Sequence, residues 1–133
     1  MNTHSVNEAL RLYLQGLLPD ISIHTPVNCG SLSEPYILVS CTADSELIPK
    51  NHTWACNVSV EVHTSAHDQD EEASRNQAAD LFALLAKRCS REAVNALSSD
   101  FLLYSFALSS VLEPEAVEDA FIQRGEFRAV VQF

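Results

Sequence analysis

Residues 53–64 alternate apolar and polar side chains more regularly than any other part of this chain. One face carries Trp54, Cys56, Val58, Val60 and Val62, and the other carries Ala55, Asn57, Ser59, Glu61 and His63. Such alternation is typical of a β-strand that is buried on one side. At about 3.3 Å per residue the strand spans roughly 35–40 Å, twice an ordinary strand. We therefore expect it to form the spine of a sheet or to reach beyond its own domain toward a partner.

The composition describes one globular domain, residues 1–133, that does not adhere to nucleic acid. Hydrophobic residues make up 47% of the chain and charged residues 20%, which is enough apolar material for one core. The net charge of −10 disfavours contact with DNA, RNA or an anionic membrane, because each requires clustered Lys and Arg. No segment approaches the ~18 apolar residues of a membrane span, and the first residues do not read as a signal peptide. We therefore expect a protein made in a cytoplasm, with no membrane contact.

The four cysteines, at positions 29, 41, 56 and 89, show no CxxC spacing. Two of them lie inside apolar strand patterns. We interpret the four as core thiols rather than as a disulfide framework or a zinc site. Accordingly, we expect no cofactor.

Helical and strand periodicities divide the rest of the chain into elements. A capping box of Ser5 and Glu8 marks a first helix that Pro19 ends. Acidic residues open a second helix and Lys87 and Arg88 close it, which suits the helix dipole. In chain order the patterns predict a helix at 6–18, an irregular connector at 20–34, a strand at 36–41, a link at 42–52, the long strand, a helix from 67 to 89, a short helix at 91–97, a strand at 101–112, an acidic turn at 115–120 and a last strand at 125–133.

This order predicts an α+β fold. Two helices each have one apolar stripe to bury, so we expect them to pack on one face of a mostly antiparallel, four-stranded sheet. The link at 42–52 is too long for a tight hairpin. We interpret it either as a functional loop or as a disordered tip.

The main chemical candidate is a set of metal-ligand side chains at a predicted strand-to-helix corner. His63, His67, Asp68 and Asp70 offer nitrogen and carboxylate ligands there. The simpler interpretation is that His63 lies on the polar face of its strand and that the acids favour a helix N-terminus. No nucleophile motif occurs, and three glycines cannot build a phosphate-binding loop. We therefore predict no metal site and a protein that is not an enzyme.

Aromatic residues at two strand ends have two interpretations. Trp54 stands at the start of the long strand, and Phe133 stands at the end of the last one. Each is either a residue at the rim of the core or an aromatic anchor at a protein interface, where Trp is enriched. Strands that end in exposed aromatics also favour pairing with a partner's edge.

The elements follow one another as an N-terminal helix, the strand PYILVSC, the long strand TWACNVSVEVHTSA, the helix RNQAADLFALLA and closing strands that end in RGEFRAVVQF. This series resembles the tail terminator, or tail completion, proteins of long-tailed bacteriophages. The resemblance covers nearly the whole chain. It implies a small α+β protein that caps the tail tube as a ring, stops polymerisation of the tube and offers its other surface to the head connector. It implies no catalytic residue.

The resemblance also implies partners and a location. The partners are copies of the chain itself in a homo-hexameric ring, the tail tube protein and a head completion or connector protein, with DNA passing through the lumen without specific binding. The location is the head-tail junction of a virion, after assembly in the host cytoplasm. For the ring or partner interface we expect Asp44, Glu46, Lys50, Trp54 and Phe133. Two alternatives stay open: a small metal-dependent hydrolase using His63, His67, Asp68 and Asp70, and a cytoplasmic adaptor that binds one protein through an exposed strand edge.

Overall fold

The computed structural model describes residues 2–27, 35–65, 70–118 and 120–133. Within these ranges the elements are α1 Thr3–Leu17, β1 Ser22–His24, β2 Tyr36–Ile48, a 3₁₀ turn Pro49–Asn51, β3 Thr53–Ser65, α2 Glu71–Arg88, α3 Arg91–Asn95, β4 Leu102–Val111, β5 Glu115–Val117 and β6 Ala120–Gln132. None of these helices is both long and apolar enough to cross a membrane.

The predicted long strand is β3, and it forms the spine of the sheet. It pairs antiparallel with β2 on one side and with β6 on the other, from Thr53 opposite Gln132 to Ser65 opposite Ala120. The strand order is β1-β2-β3-β6-β4, and β5 pairs with β6 beyond the end of β4. Because strands of the same chain occupy both edges of β3, this strand does not extend beyond its domain to pair with a partner.

The α+β class is confirmed, but the prediction of four mostly antiparallel strands was wrong. The described residues form a six-stranded sheet, and it is mixed because β1 runs parallel to β2. β1 and β5 have three residues each, too few to produce a visible period, so they were predicted as connector and turn. After β5 the chain reverses at Glu118, whose φ of 54° is left-handed. β6 therefore begins at Ala120, earlier than the predicted start at 125.

The interpretation of 42–52 as a loop was also wrong. β2 continues through this segment to Ile48 and stays paired with β3, and only the 3₁₀ turn and His52 connect the two strands. Residues 44–48 are exposed, so they lack the apolar alternation that would reveal a strand. Two register shifts, between Ala43 and Ser45 and between Glu46 and Ile48, break the period further. The result is a long hairpin that ends in a tight turn.

Some helix boundaries differ from the predicted ones. α1 begins at Thr3 with Asn2 as its N-cap residue, so Ser5 lies inside the helix and does not cap it. α3 ends at Asn95, before the predicted 97, and the Ser90 hydroxyl caps its start by accepting the Ala93 N–H.

The helices pack on one face of the sheet, as predicted. Inward-facing residues of β2, β3 and β6 join buried residues of α1 and α2 in one core that includes Val39, Val58, Val60, Phe127, Leu10, Leu14, Phe82 and Leu85. The Phe127 ring stacks on Phe106 with centroids 4.7 Å apart, and the centroid of the Phe82 ring lies 6.4 Å from that of Phe127. The opposite face of the sheet, called here the uncovered face, carries no helix of the described ranges and is largely polar.

Three of the cysteines are free thiols in or against this core. Cys41 and Cys56 are buried in it, and Cys89 packs against it. A thiol–thiol hydrogen bond with Cys56, together with burial, raises the pKa of Cys41, and burial raises the pKa of Cys89 to about 12. The interpretation as core thiols is confirmed for these three, whereas Cys29 lies outside the described residues.

An asparagine closes part of each outer edge of the sheet. At the β2 edge, the buried Asn7 of α1 accepts the Cys41 N–H through its Oδ1 at 2.7 Å. At the β4 edge, Asn95 of α3 accepts the Leu103 N–H at 2.8 Å and donates to the Leu103 carbonyl at 3.0 Å. These amides take the place of a neighbouring strand and fix two helices to the sheet.

Replacing Asn7 with alanine should lower the free energy of unfolding by about 1–2 kcal/mol. The buried Cys41 N–H would lose its acceptor, which costs about 1–3 kcal/mol, and the higher helix propensity of alanine returns up to ~0.7 kcal/mol. Urea unfolding measures the difference. Asn57→Ala, on the uncovered face, is the control, and equal losses in both variants would contradict a special role for Asn7.

Candidate interface site

A cleft opens at the end of the sheet where β2 turns into β3 and β6 ends. Its volume is about 550 Å³, and it is lined by Asn2, Glu46, His52, Trp54, Asp100 and Phe133. Strand pairing sets its floor, because Glu46 of β2 lies opposite Trp54 of β3, which lies opposite Val131 of β6. The first residues of the chain and the segment before β4 form its sides. We call this feature the strand-end cleft.

Backbone contacts hold the aromatic walls of the strand-end cleft in place. The Phe133 N–H donates to the His52 carbonyl at 3.0 Å, which ties the last strand to the hairpin turn. His52 itself has a left-handed φ of 54°, an uncommon conformation for a residue other than glycine. Trp54 and Phe133 are partly buried and pack against the core. The interpretation as residues at the rim of the core is therefore confirmed, and the interpretation as aromatic anchors at a protein interface stays a prediction.

The structure brings together three of the five predicted interface residues. Glu46, Trp54 and Phe133 line the strand-end cleft. Lys50 is exposed in the 3₁₀ turn at the tip of the hairpin. Asp44 does not join them, because its carboxylate pairs with Arg128 on the uncovered face.

Sequence reasoning missed Asn2, His52 and Asp100 as cleft residues. Asp100 lies more than forty positions after the hairpin turn, between the predicted short helix at 91–97 and the predicted strand at 101–112. No local sequence pattern predicts such a contact, because it arises where residues 96–101 pack beside the ends of β3 and β6. His52 follows a Pro49 turn, and the turn was the one signal that could have indicated its position.

The uncovered face carries two ion-pair groups. Arg128 pairs with Asp44, and Arg124 bridges Glu115 and Glu61, with 3.1 Å between the Arg124 Nε and the Glu61 Oε1. The hydrogen bonds that the Arg124 guanidinium donates to Glu115 and to Glu61 raise its pKa. Both arginines of this face are therefore ion-paired with carboxylates of the same chain. Since these carboxylates outnumber the two arginines, the face is not a basic patch.

The proposed metal ligands have structural roles where the structure describes them. The His63 ring stacks on Tyr36 with centroids 4.3 Å apart, and its Nε2 lies 3.6 Å from the Glu61 Oε1. The Asp70 carboxylate caps α2 by accepting the Ala73 N–H at 2.7 Å. His67 and Asp68 lie outside the described residues. Within the described ranges, no group of three or more His, Cys, Asp and Glu side chains is arranged to hold a metal ion.

A second surface runs along the outer side of β4, which ends the strand order. Its upper part is closed by α3, where Asn95 bonds Leu103 and Arg91 donates to the Tyr104 carbonyl at 2.6 Å. Its lower part, residues 106–112, exposes Leu108 by 45%, Val111 by 53% and Leu112 by 55%. β4 contains no charged residue and no proline, the usual protections of an edge strand. We call residues 106–112 the β4 edge.

Comparisons with known proteins define the class of fold. Neither a protein-family model nor a curated protein matches this chain. The chain is similar to a solved chain from the virion of a native gene transfer agent particle, with a TM-score of 0.69 and 18% identity over 98% of this chain and 94% of that one. It is also similar to a solved protein whose name states no function, with a TM-score of 0.63 and 12% identity over 98% and 92% of the two chains. These similarities establish a shared fold over nearly the whole chain.

Proposed function

We propose that this protein is a structural component of a phage-like virion. In this proposal it forms a ring on the tail tube, ends polymerisation of the tube and joins the tail to the head connector. The observation that carries the proposal is the fold shared, over 98% of the chain, with a chain of a gene transfer agent virion. The element order that resembles tail terminators supports the same role.

The β4 edge supplies the contact between neighbours in the ring. A ring needs a heterologous contact, in which one surface of a copy meets a different surface of the next. An uncharged edge strand with exposed leucine and valine side chains is suited to such a contact, because pairing satisfies its backbone groups and buries its apolar ones. β3 cannot serve this purpose, because both of its edges are already paired within the chain.

The charge distribution suits a channel through which DNA slides. Binding to DNA depends on Lys and Arg that displace counterions from phosphates. In this chain the net charge is −10, and the two arginines of the uncovered face are already paired with Asp44, Glu61 and Glu115. A ring whose lumen is lined by this face, or by the β2–β3 hairpin with Asp44 and Glu46, lets DNA pass without adhering.

A cytoplasmic adaptor that binds one protein is the second candidate, because an exposed edge such as 106–112 can also accept a strand from a single partner. An adaptor needs no self-assembly. The two functions therefore differ in the masses that the purified chain forms at high concentration.

Native mass spectrometry over a hundred-fold concentration series tests the ring. We expect a six-fold species that appears above a threshold concentration and that carries no metal. A chain that stays monomeric throughout, including in the presence of purified tail tubes, would contradict the ring and favour the adaptor. A monomer or dimer with one metal ion per chain would contradict both and return attention to His63.

A further inference from the structure

We propose that the strand-end cleft binds an arginine or lysine side chain, presented by an extended segment of a different virion protein. This inference rests on the proposed function, because it names the chemistry of a partner that docks at one end of the sheet. The evidence is the combination of two carboxylates, from Glu46 and Asp100, with the aromatic walls of Trp54 and Phe133 in one cleft.

The lining of the strand-end cleft matches both parts of a long basic side chain. The aromatic faces of Trp54 and Phe133 can cover the apolar stem, and Trp is the aromatic that attracts a cation most strongly. Glu46 and Asp100 can accept hydrogen bonds from the charged head. Arginine suits the cleft better than lysine, because its planar guanidinium stacks on an indole and offers several donors at once.

The size of the strand-end cleft favours a peptide segment over a lone ion. Its volume of about 550 Å³ is within the range of small-molecule pockets and larger than one side chain needs. Glu46, His52 and Asp100 do not form a metal-holding group, since none occurs in the described ranges. The two carboxylates also repel phosphates and other anions, so a nucleic acid strand is a poor occupant.

The occupant comes from a different protein because this chain has few cations to offer. It contains eight Lys and Arg residues, and four of them, Arg11, Arg91, Arg124 and Arg128, are ion-paired with carboxylates of their own copy. Taking one of these four from a second copy would break an existing pair. The other four, Lys50, Arg75, Lys87 and Arg88, lie in the 3₁₀ turn or in α2 and not on an extended segment. A partner with its own basic segment complements the net charge of −10 at no such cost.

The probe for this site is already in the chain, because Trp54 is its one tryptophan. Fluorescence of Trp54 can be followed while the full-length protein is titrated with the peptide acetyl-Val-Arg-Val-amide. The matched peptide acetyl-Val-citrulline-Val-amide has the same shape without the charge. We expect a saturable change with the arginine peptide and at least about ten-fold weaker binding of the citrulline peptide, which corresponds to a loss of a charge-assisted bond.

Variants of the acidic residues identify the site. Glu46→Gln and Asp100→Asn should each weaken binding of the arginine peptide about two- to five-fold, because each removes one exposed ionic contact. Glu126→Gln, on the uncovered face, removes the same charge elsewhere and should leave the affinity unchanged. Circular dichroism confirms that each variant is folded.

Three outcomes would overturn the inference. They are no change in Trp54 fluorescence with the arginine peptide, equal affinities for the arginine and citrulline peptides, or a loss of affinity in Glu126→Gln as large as in Glu46→Gln and Asp100→Asn. Native mass spectra of the same samples separate this result from the ring proposal. Rings without a peptide response would refute the cleft alone. A peptide response from a chain that never assembles would support the cleft and contradict the ring.

Discussion

Replacing Gly125 with alanine should lower the free energy of unfolding by about 3 kcal/mol, the upper end of the usual cost of overpacking a core. Gly125 lies in the middle of β6, opposite Val60 of β3, and the Phe82 ring of α2 covers it. An added Cβ would lie 2.7 Å from the Phe82 Cε2 and closer still to the Cζ. Phe82 is buried beside Phe127, so its ring cannot move away without disturbing the centre of the core.

Urea unfolding of two alanine variants measures this effect. Gly16 is the matched control, because an added Cβ there meets no atom within 4 Å and alanine favours the helix. Gly16→Ala should therefore be neutral or raise stability by up to ~1 kcal/mol. Adding Phe82→Leu to Gly125→Ala should recover part of the loss. A Gly125→Ala variant as stable as the parent would refute the close packing of α2 on β6.

The same glycine shows what sequence patterns reveal and what they conceal. The alternation around it predicted a strand, and the period was right, but the glycine was taken as the start of that strand. Its function depends on Phe82, more than forty positions away, and no local pattern contains that contact. Period-two and helical signals come from burial of one face, so they identified β3, β4, α1 and α2 as elements. They do not record which element covers which.

Elements without a buried face were missed for the same reason. The far half of β2 is exposed and irregular, so it read as a loop although it is held by hydrogen bonds to β3. β1 and β5 are three residues long and read as connector and turn. Backbone hydrogen bonds stabilise such strands whatever their side chains are. The sequence therefore contains no periodic pattern that would reveal them.

The candidate site was predicted in part, and the physical reason is similar. Trp54 and Phe133 stood out because aromatic residues, and Trp above all, are enriched at protein interfaces, and Glu46 was included with the segment that leads to Trp54. The structure brings these three together. Asp44, two positions from Glu46, points to the other face because of the register shift at Ala43 and Ser45. The bulge could not be predicted, and it separates the two acids.

Replacing Leu108 with lysine should raise the concentration at which the proposed ring forms by about 60-fold. Leu108 lies on the β4 edge and is 45% exposed in the single chain, so it would be buried only by a neighbour. Burying a lysine in each contact costs at least about 2 kcal/mol, or about 12 kcal/mol for the six contacts of a ring. In an equilibrium of six chains with one ring, the midpoint shifts by one fifth of that sum, about 2.4 kcal/mol, which gives the factor of about 60.

Native mass spectrometry of parent and variant over the same concentration range measures the shift. Leu84→Lys is the matched control, because Leu84 is an exposed leucine on α2, outside the β4 edge, and the same change there should leave the midpoint in place. Thermal unfolding shows whether both variants keep the stability of the parent. If the Leu108→Lys variant forms rings at the same concentration as the parent, the β4 edge is not the ring contact. Because the strand-end cleft lies apart from residues 106–112, its peptide binding should be the same in parent and variant, and the two surfaces can be assigned independently.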